Sequence, residues 1–349
     1  MSSRVLVLGA GSVGTFVGGR LAVAGAEVTF VGRPRILDAI SESGLRLTDL
    51  DGKDDTVAPG RFRVATAPDD VDSADLVLVA VKSAATAEAV RELSAAIRPG
   101  TVVVSLQNGI GNDSVIREIL PHCVVLAGMV MFNVVQQGPG RFHRGTEGSV
   151  AVTDDPALAP FLDTFDRAEL GLRRHRDLRP VQWAKLLLNL NNPINALSGL
   201  PLRAELAERD YRRCLALAQR EALAVLRRAR IETARLTPLP PRLMARTLTV
   251  PDRLFARMAG KVLAIDPTAR SSMADDLALG RKTEIMWLCG EIVGLGAMVG
   301  VATPVNERLV ELVVAAEQGG RRDWSGAALL EQLRQAGGRG GAAGAPIGS

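Results

Sequence analysis

The chain has 349 residues, 47% hydrophobic and 23% charged, with a net charge of +4. That length accommodates two domains with separate cores, and the weak positive balance with only 3% aromatic residues argues against a nucleic-acid surface. Cys123, Cys214 and Cys289 fit no metal-ligand spacing and His122, His143 and His175 form no HxxxH pattern, so reduced thiols in a cytoplasmic protein without a metal are expected.

No basic stretch precedes an apolar run with a small-residue cleavage site, so no signal peptide is expected. The apolar run VLVLGAGSVGTFVGGRLAVAGA is interrupted by glycines and reads as strand, turn and helix, not as a membrane span. Residues 4–10 (RVLVLGA) predict a buried strand and residues 12–24 a helix of small side chains. EVTFVG, FRVATA, LVLVAVK and TVVVSLQNG predict further strands, with a helix through TAEAVRELSAAI. Strands alternating with helices predict a mostly parallel sheet wound on both sides. CVVLAGMVMFNVV and GSVAVT predict strands that could extend it.

From Gln182 onward helical periodicity dominates, over residues 182–198, 208–231, 270–298 and 304–318. RHRDLRP, ending at Pro180, marks the boundary. The reading is an α/β domain over 1–177, an all-helical domain over 178–335 and a disordered Gly/Ala-rich tail over 336–349.

GAGSVG, with Gly9, Gly11, Ser12, Val13 and Gly14, falls directly between the first strand and helix. In that context G-x-G-x-x-G is a dinucleotide cradle. The first glycine makes the turn, the second admits the pyrophosphate, and the third lets the helix pack on the strand. At the end of the second strand an acidic residue would hold ribose hydroxyls. Here VTFVGRPR places Arg33 and then Arg35 there, which suits a phosphate and favours NADPH/NADP+ over NADH. A solvated surface arginine is the competing explanation. Lys82 and Asn108 end strands at the ligand-binding edge of such a sheet, although Asn108-Gly109 is also an ordinary turn dipeptide.

In the helical half, WAKLLLNLNNPINAL sets Lys185, Asn189 and Asn192 at i, i+4 and i+7 on one face of an apolar helix. Polar groups facing a core need partners or a task. A lysine there can stabilise and protonate the oxygen of a ketone as it is reduced. A snorkelling lysine with structural asparagines is the alternative. SSMADDLALGRKTEI carries Ser272 and Glu284, twelve residues apart. Ser272 fits either a helix cap or a ligand group, and Glu284 either a partner of Lys185 or of substrate, or a surface pair with Arg281 or Lys282.

The ordered set GAGSVG, Lys82, QNG at 107–109, WAKLLLN at 183–189 and SSM with GRKTE at 271–284 resembles the 2-dehydropantoate 2-reductase (ketopantoate reductase) family, over residues 4 to about 318. The resemblance implies a Rossmann domain followed by an all-α domain, an active site in the cleft between them, and NADPH-dependent reduction of ketopantoate to pantoate on the route to pantothenate and coenzyme A. It implies Lys185 as catalytic general acid and Glu284 as the glutamate on the substrate hydroxyl. It implies Ser272 and Asn189 as substrate ligands, Asn108 as a bridge from cofactor to substrate, and Arg33 with Lys82 on the adenosine phosphate. Members carry a second asparagine eight residues after the lysine. Here that position is Pro193, so Asn192 or Asn195 takes its place, and Met286 stands where aspartate is common.

The alternatives are a paralogue acting on another 2-keto acid, a 3-hydroxyacid or glycerol-phosphate dehydrogenase, and a non-catalytic NADPH-binding sensor. A phosphate substrate would want several basic groups in the helical half, and only Lys185 stands out there. The small-molecule substrate, the lack of a nucleic-acid or membrane partner, and a homodimer that the last helices would permit complete the expectations.

Overall fold

The β-branched runs of the first half pair into a largely parallel sheet, as their alternation with helices predicts. The computed structural model describes residues 3–68, 74–258 and 269–342, and the chain divides into two units, Met1–Leu178 and Arg179–Ser349.

The first unit runs β1 (Arg4–Leu8), α1 (Ser12–Val23), β2 (Glu27–Val31), α2 (Pro34–Ser43), β3 (Leu45–Asp49), β4 (Asp54–Val57), β5 (Arg63–Ala65), β6 (Leu76–Val79), α3 (Thr86–Leu93), β7 (Val102–Ser105), α4 (Asn112–Ile119), β8 (Val124–Val130), β9 (Val134–Gly138), β10 (Arg141–Arg144), β11 (Val150–Thr153), α5 (Leu162–Arg167) and β12 (Arg173–His175). The larger sheet has the order β12-β11-β8-β7-β6-β1-β2-β5. Pairing is parallel from β5 across to β8, and β11 adds antiparallel to β8. Val5, Val7, Leu76, Leu78 and Val104 fill the core on one face, and Leu6, Leu8, Val77, Val79 and Val103 the core on the other. Burial on both faces is why these strands read as unbroken apolar runs.

A second sheet, β4-β3-β10-β9, was not expected from the sequence. Its strands LRLTD, DDTV, VVQQG and RFHR are short, polar and partly exposed, so they carry little period-two signal. Helix α1 packs against both sheets. A Cβ on Gly18 would meet the Phe30 ring of β2 at 2.5 Å, and one on Gly19 would meet the Leu47 side chain of β3 at 2.9 Å. Close approach on two sides explains the small residues of this helix. Buried Arg20 donates from Nε to the Ala168 carbonyl at 2.9 Å and pairs with Asp55.

The second unit is helical: α6 (Arg179–Asn189), α7 (Asn191–Ser198), α8 (Leu202–Ala207), α9 (Arg209–Arg228), α10 (Pro241–Thr247), α11 (Asp252–Met258), α12 (Ser272–Ala278), α13 (Cys289–Val299), α14 (Pro304–Glu317) and α15 (Gly326–Ala342). The long helix α9 contacts α10, α13, α14 and α15 around Val225, Leu226, Ile292, Leu309, Val313 and Leu333. Glu221 of α9 accepts the Val305 and Asn306 amides at 2.9 and 3.0 Å, which satisfies orphan donors at the start of α14.

Three expectations change here. Residues 182–198 are two helices, not one, with the break at Leu190. Pro193 has no N–H for the Asn189 carbonyl, and its ring opposes a continuous turn at that point. Residues 270–298 are likewise interrupted. Helix α12 ends as Arg281 donates its amide to the Asp276 carbonyl at 2.8 Å over Gly280, whose φ is +62°; this is a Schellman stop that glycine accommodates. Residues 336–342, expected in the disordered tail, continue helix α15, which buried Leu329, Leu330 and Leu333 anchor. Once packing has nucleated a helix, alanine and glycine can follow it. Residues 343–349 lie outside the described residues. Among the described residues no helix is long and apolar enough to cross a membrane.

Candidate active site

Parallel pairing brings the C-terminal ends of β1, β2, β6 and β7 to one edge of the first unit. The Gly9 and Ala10 amides donate to the Val31 carbonyl at 2.9 and 3.1 Å, which pins the turn after β1. Gly9 has φ +113°, and a Cβ there would lie 2.5 Å from the Val81 nitrogen. A Cβ on Gly14 would lie 2.2 Å from the Gly9 carbonyl oxygen, so the third glycine is needed for helix against turn. Gly11 differs: its added Cβ would meet nothing within 4 Å. That open space lies at the N-cap of α1, whose first turn carries no acidic side chain, beside half-buried Ser12 and Val13. Free space and unopposed amides at a helix start fit a dinucleotide pyrophosphate.

Arg33 is the N-cap of α2, two residues past β2, and both Arg33 and Arg35 are exposed. Lys82 follows β6 by three residues and Asn108 follows β7 by three. A buried polar network that sequence reasoning missed ties these two loops together. Gln107 donates from Nε2 to the Val81 carbonyl at 2.9 Å and to Thr86 Oγ1 at 2.6 Å. Ser105 Oγ donates to Gln107 Oε1 at 3.0 Å. Asn112 Nδ2 donates to the Asn108 carbonyl at 2.8 Å and to Ser83 Oγ at 3.2 Å. Each of these side chains is an ordinary polar residue in isolation, and only pairing across two loops gives it a role.

The second unit holds the other group. Lys185, on α6, is half-buried among apolar side chains. Burial pulls its ammonium down to about 8, and the Glu284 carboxylate opposes that fall. Glu284 stands at the N-cap of a short 3-10 helix, Ile285–Trp287. Its neighbour Thr283 is held by Glu317, which accepts the Thr283 amide at 2.8 Å and its hydroxyl at 2.7 Å. Lys282, one of the two surface partners considered for Glu284, pairs with Glu317 at 3.0 Å. Glu317 thus sets the loop that presents Glu284, a role no motif announced.

Asn189 and Asn192 are half-buried on either side of the Leu190 break, so the single helical face expected for Lys185, Asn189 and Asn192 is not continuous. Asn195 is fully buried. Its Oδ1 accepts the Ser271 amide at 2.9 Å and its Nδ2 donates to the Leu200 carbonyl at 3.0 Å. The cap of α12 is Ser271, whose Oγ accepts the Ala274 amide at 3.2 Å. Ser272 is not that cap; it is the first residue of the helix and exposed. Its hydroxyl is therefore not needed for capping. Among the described residues no group of three or more histidine, cysteine or acidic side chains is placed to hold a metal.

The family models for ketopantoate reductase PanE/ApbA and for its C-terminal region match residues 5–156 and 177–317. The chain belongs to the ketopantoate reductase family. It is similar to the 2-dehydropantoate 2-reductase of Halobacterium salinarum, 32% identical over 91% of this chain and all of that protein. The Archaeoglobus fulgidus protein of the same name is 30% identical over 90% of this chain and 98% of its own. Among solved structures, a PanE/ApbA family ketopantoate reductase from Ralstonia eutropha superposes with a TM-score of 0.77 at 31% identity, covering 90% of this chain and 99% of that one. A D-mandelate dehydrogenase shares the fold, with a TM-score of 0.75 at 22% identity over 90% of this chain and 99% of that one. The chain is accordingly an oxidoreductase acting on CH–OH groups with a nicotinamide cofactor, built from an α/β Rossmann unit followed by a helical one.

Proposed function

We propose that the chain reduces 2-dehydropantoate to (R)-pantoate with NADPH, in the cytoplasm, as a step toward pantothenate and coenzyme A. The observation that carries this reading is Lys185, an ammonium brought by burial to about 8 and faced by Glu284. Such a group is acidic enough to give up a proton near neutral pH and is still largely charged there. A bound NADPH would supply the hydride for the 2-keto carbon. Lys185 Nζ stabilises the charge growing on the keto oxygen and donates the proton that completes the hydroxyl, then regains one from solvent. Glu284 keeps the ammonium charged before the step and accepts a hydrogen bond from a substrate hydroxyl.

Asn189, Asn192 and Ser272 are proposed to orient the carboxylate and hydroxyl of the acid, with Asn195 behind them. Gly9, Gly11, Ser12, Val13 and Gly14 would hold the pyrophosphate and Asn108 the ribose. Arg33 and Lys82 would hold the adenosine phosphate, for which an exposed guanidinium at the end of β2 is the right donor. A second reading stays within the class. Met286, 53% exposed two residues after Glu284, favours a 2-keto acid with a larger apolar tail than ketopantoate.

The test is loss of NADPH absorbance on adding ketopantoate or other 2-keto acids, aromatic ones included, with NADH in parallel. NADPH-selective loss with ketopantoate is expected. Loss only with another keto acid would move the substrate and keep the chemistry. Binding of NADPH without turnover of any keto acid would sink the reductase reading.

A further inference from the structure

Glu205, on α8, is completely buried and has no place in the chemistry above. Its Oε2 accepts Asn191 Nδ2 at 2.9 Å and Asn195 Nδ2 at 3.4 Å. Among the described residues no basic side chain is one of the groups that set its charge state: the titratable groups around it are Glu208 at the end of α8 and Tyr211 and Cys214 on α9. A carboxyl group without a cation is an expensive way to fill a core. Its hydrogen bonds lead to Asn191 and Asn195 of α7, beside Asn192 and the segment that carries Ser272.

The corner from α7 to α8 is stitched to the segment that precedes Ser272. The Leu202 amide donates to the Ala269 carbonyl at 2.8 Å, and Arg270 Nη2 donates to the Gly199 carbonyl at 3.2 Å. Ser271 is held twice, its amide by Asn195 Oδ1 at 2.9 Å and its hydroxyl on the Asn192 carbonyl at 3.3 Å. Asn195 can offer its oxygen to Ser271 only while its Nδ2 points the other way, at the Leu200 carbonyl and Glu205.

We propose that Glu205 is a positioning residue which, through the orientation of Asn195, fixes Ser271 and so the direction in which Ser272 is presented to the 2-keto acid. The inference rests on the reading of Ser272 as a substrate group. Replacing Glu205 by an apolar residue frees the Asn191 amide and leaves Asn195 Nδ2 with the Leu200 carbonyl as its one acceptor, which loosens the Ser271 contact and weakens substrate binding. The reaction at Lys185 and the cofactor cradle in the other unit are left alone. Glutamine keeps the acceptor and the shape.

The experiment compares Glu205→Leu and Glu205→Gln with the parent chain. Two readouts are taken, steady-state kinetics with NADPH and the reactive 2-keto acid, and hydrogen exchange of the Ser271 amide. Glu205→Leu is expected to raise KM for the keto acid about tenfold or more, with kcat changed less than threefold and NADPH affinity unchanged. The Ser271 amide should exchange faster in that variant, and Glu205→Gln should restore both. If Glu205→Leu does not fold, Glu205→Met serves, because it keeps the length of the side chain and removes the acceptor for Asn195; the same pair of changes is expected. Unchanged Ser271 exchange in a folded variant overturns the proposal. So does faster exchange with KM and kcat falling together or not at all. If the parent chain turns over no keto acid, the reductase reading fails, and Ser271 exchange alone still decides whether Glu205 positions that segment.

Discussion

The Glu284 carboxylate supports the charge of the Lys185 ammonium against the burial that lowers it. The two residues are 99 positions apart in sequence, on α6 and at the cap of a 3-10 turn, and in the proposed reaction they act as one proton-donating unit. Lys185→Ala is expected to lower kcat on the order of a hundredfold or more with NADPH affinity unchanged. Rapid-mixing turnover and a separate NADPH titration check it. Near-normal turnover would remove Lys185 as the acid.

The same pair fixes a pH dependence. A general acid must be protonated, so kcat/KM should fall tenfold per unit as pH rises above about 8. Glu284 raises the lysine, so Glu284→Gln should move this alkaline limb to lower pH. A limb that stays in place in the glutamine variant would mean that the two groups do not titrate together.

Arg33 is a test of cofactor choice. Arg33→Ala should raise KM for NADPH roughly tenfold to a hundredfold, the range for losing a hydrogen bond to a charged group, and leave KM for NADH nearly unchanged. Equal effects on both cofactors would return Arg33 to the solvated surface.

The three cradle glycines should separate by phenotype. Gly9→Ala meets backbone at 2.5 Å at a φ of +113°, and Gly14→Ala meets the Gly9 carbonyl oxygen at 2.2 Å. Gly9→Ala should lose on the order of 1–3 kcal/mol from backbone strain alone, and both should melt lower. Gly11→Ala has open space and should melt like the parent chain while binding NADPH more weakly. Thermal melts with and without NADPH distinguish these outcomes.

Glu205 supplies a stability signature. Burial lifts its carboxyl to about 8, above the ordinary glutamate value of 4.5, against the Asn191 and Asn195 amides that lower it. Between those values the folded chain holds a proton that the unfolded chain has released, so stability is greatest below the lower value and declines as pH rises through about 8. The slope from this group is at most about 1.4 kcal/mol per pH unit. Denaturant titrations across pH should show that decline flattened in Glu205→Gln. An identical slope would mean that Glu205 is ionised in the folded state throughout.

How far the sequence carried the argument varies by region. GAGSVG between a strand and a helix, and β-branched runs at β1, β6 and β7, are local signals, and the sheet edge they build was legible. The Lys185 and Glu284 motifs were visible, but their interaction was one of several open pairings, because Lys282 competed on spacing alone. Three features were not legible, for different physical reasons. The strands of the second sheet are too short and polar to show a period. The Schellman stop at Gly280 hides inside a strongly helical composition. Glu317, Glu205 and Gln107 act through partners 34, 10 and 21 residues away, and no local pattern records such pairings. Pro193 was legible as a helix breaker, and the break falls at Leu190.

The network that joins the loops after β6 and β7 through Ser105, Gln107, Thr86, Asn112 and Ser83 is made of hydroxyls, amides and backbone carbonyls. Its strength is therefore indifferent to proton and salt concentration across the range in which Lys185 and Glu205 change charge. A pH limb in the rate is then to be sought in Lys185, Glu284 and Glu205 of the helical unit and not in this network.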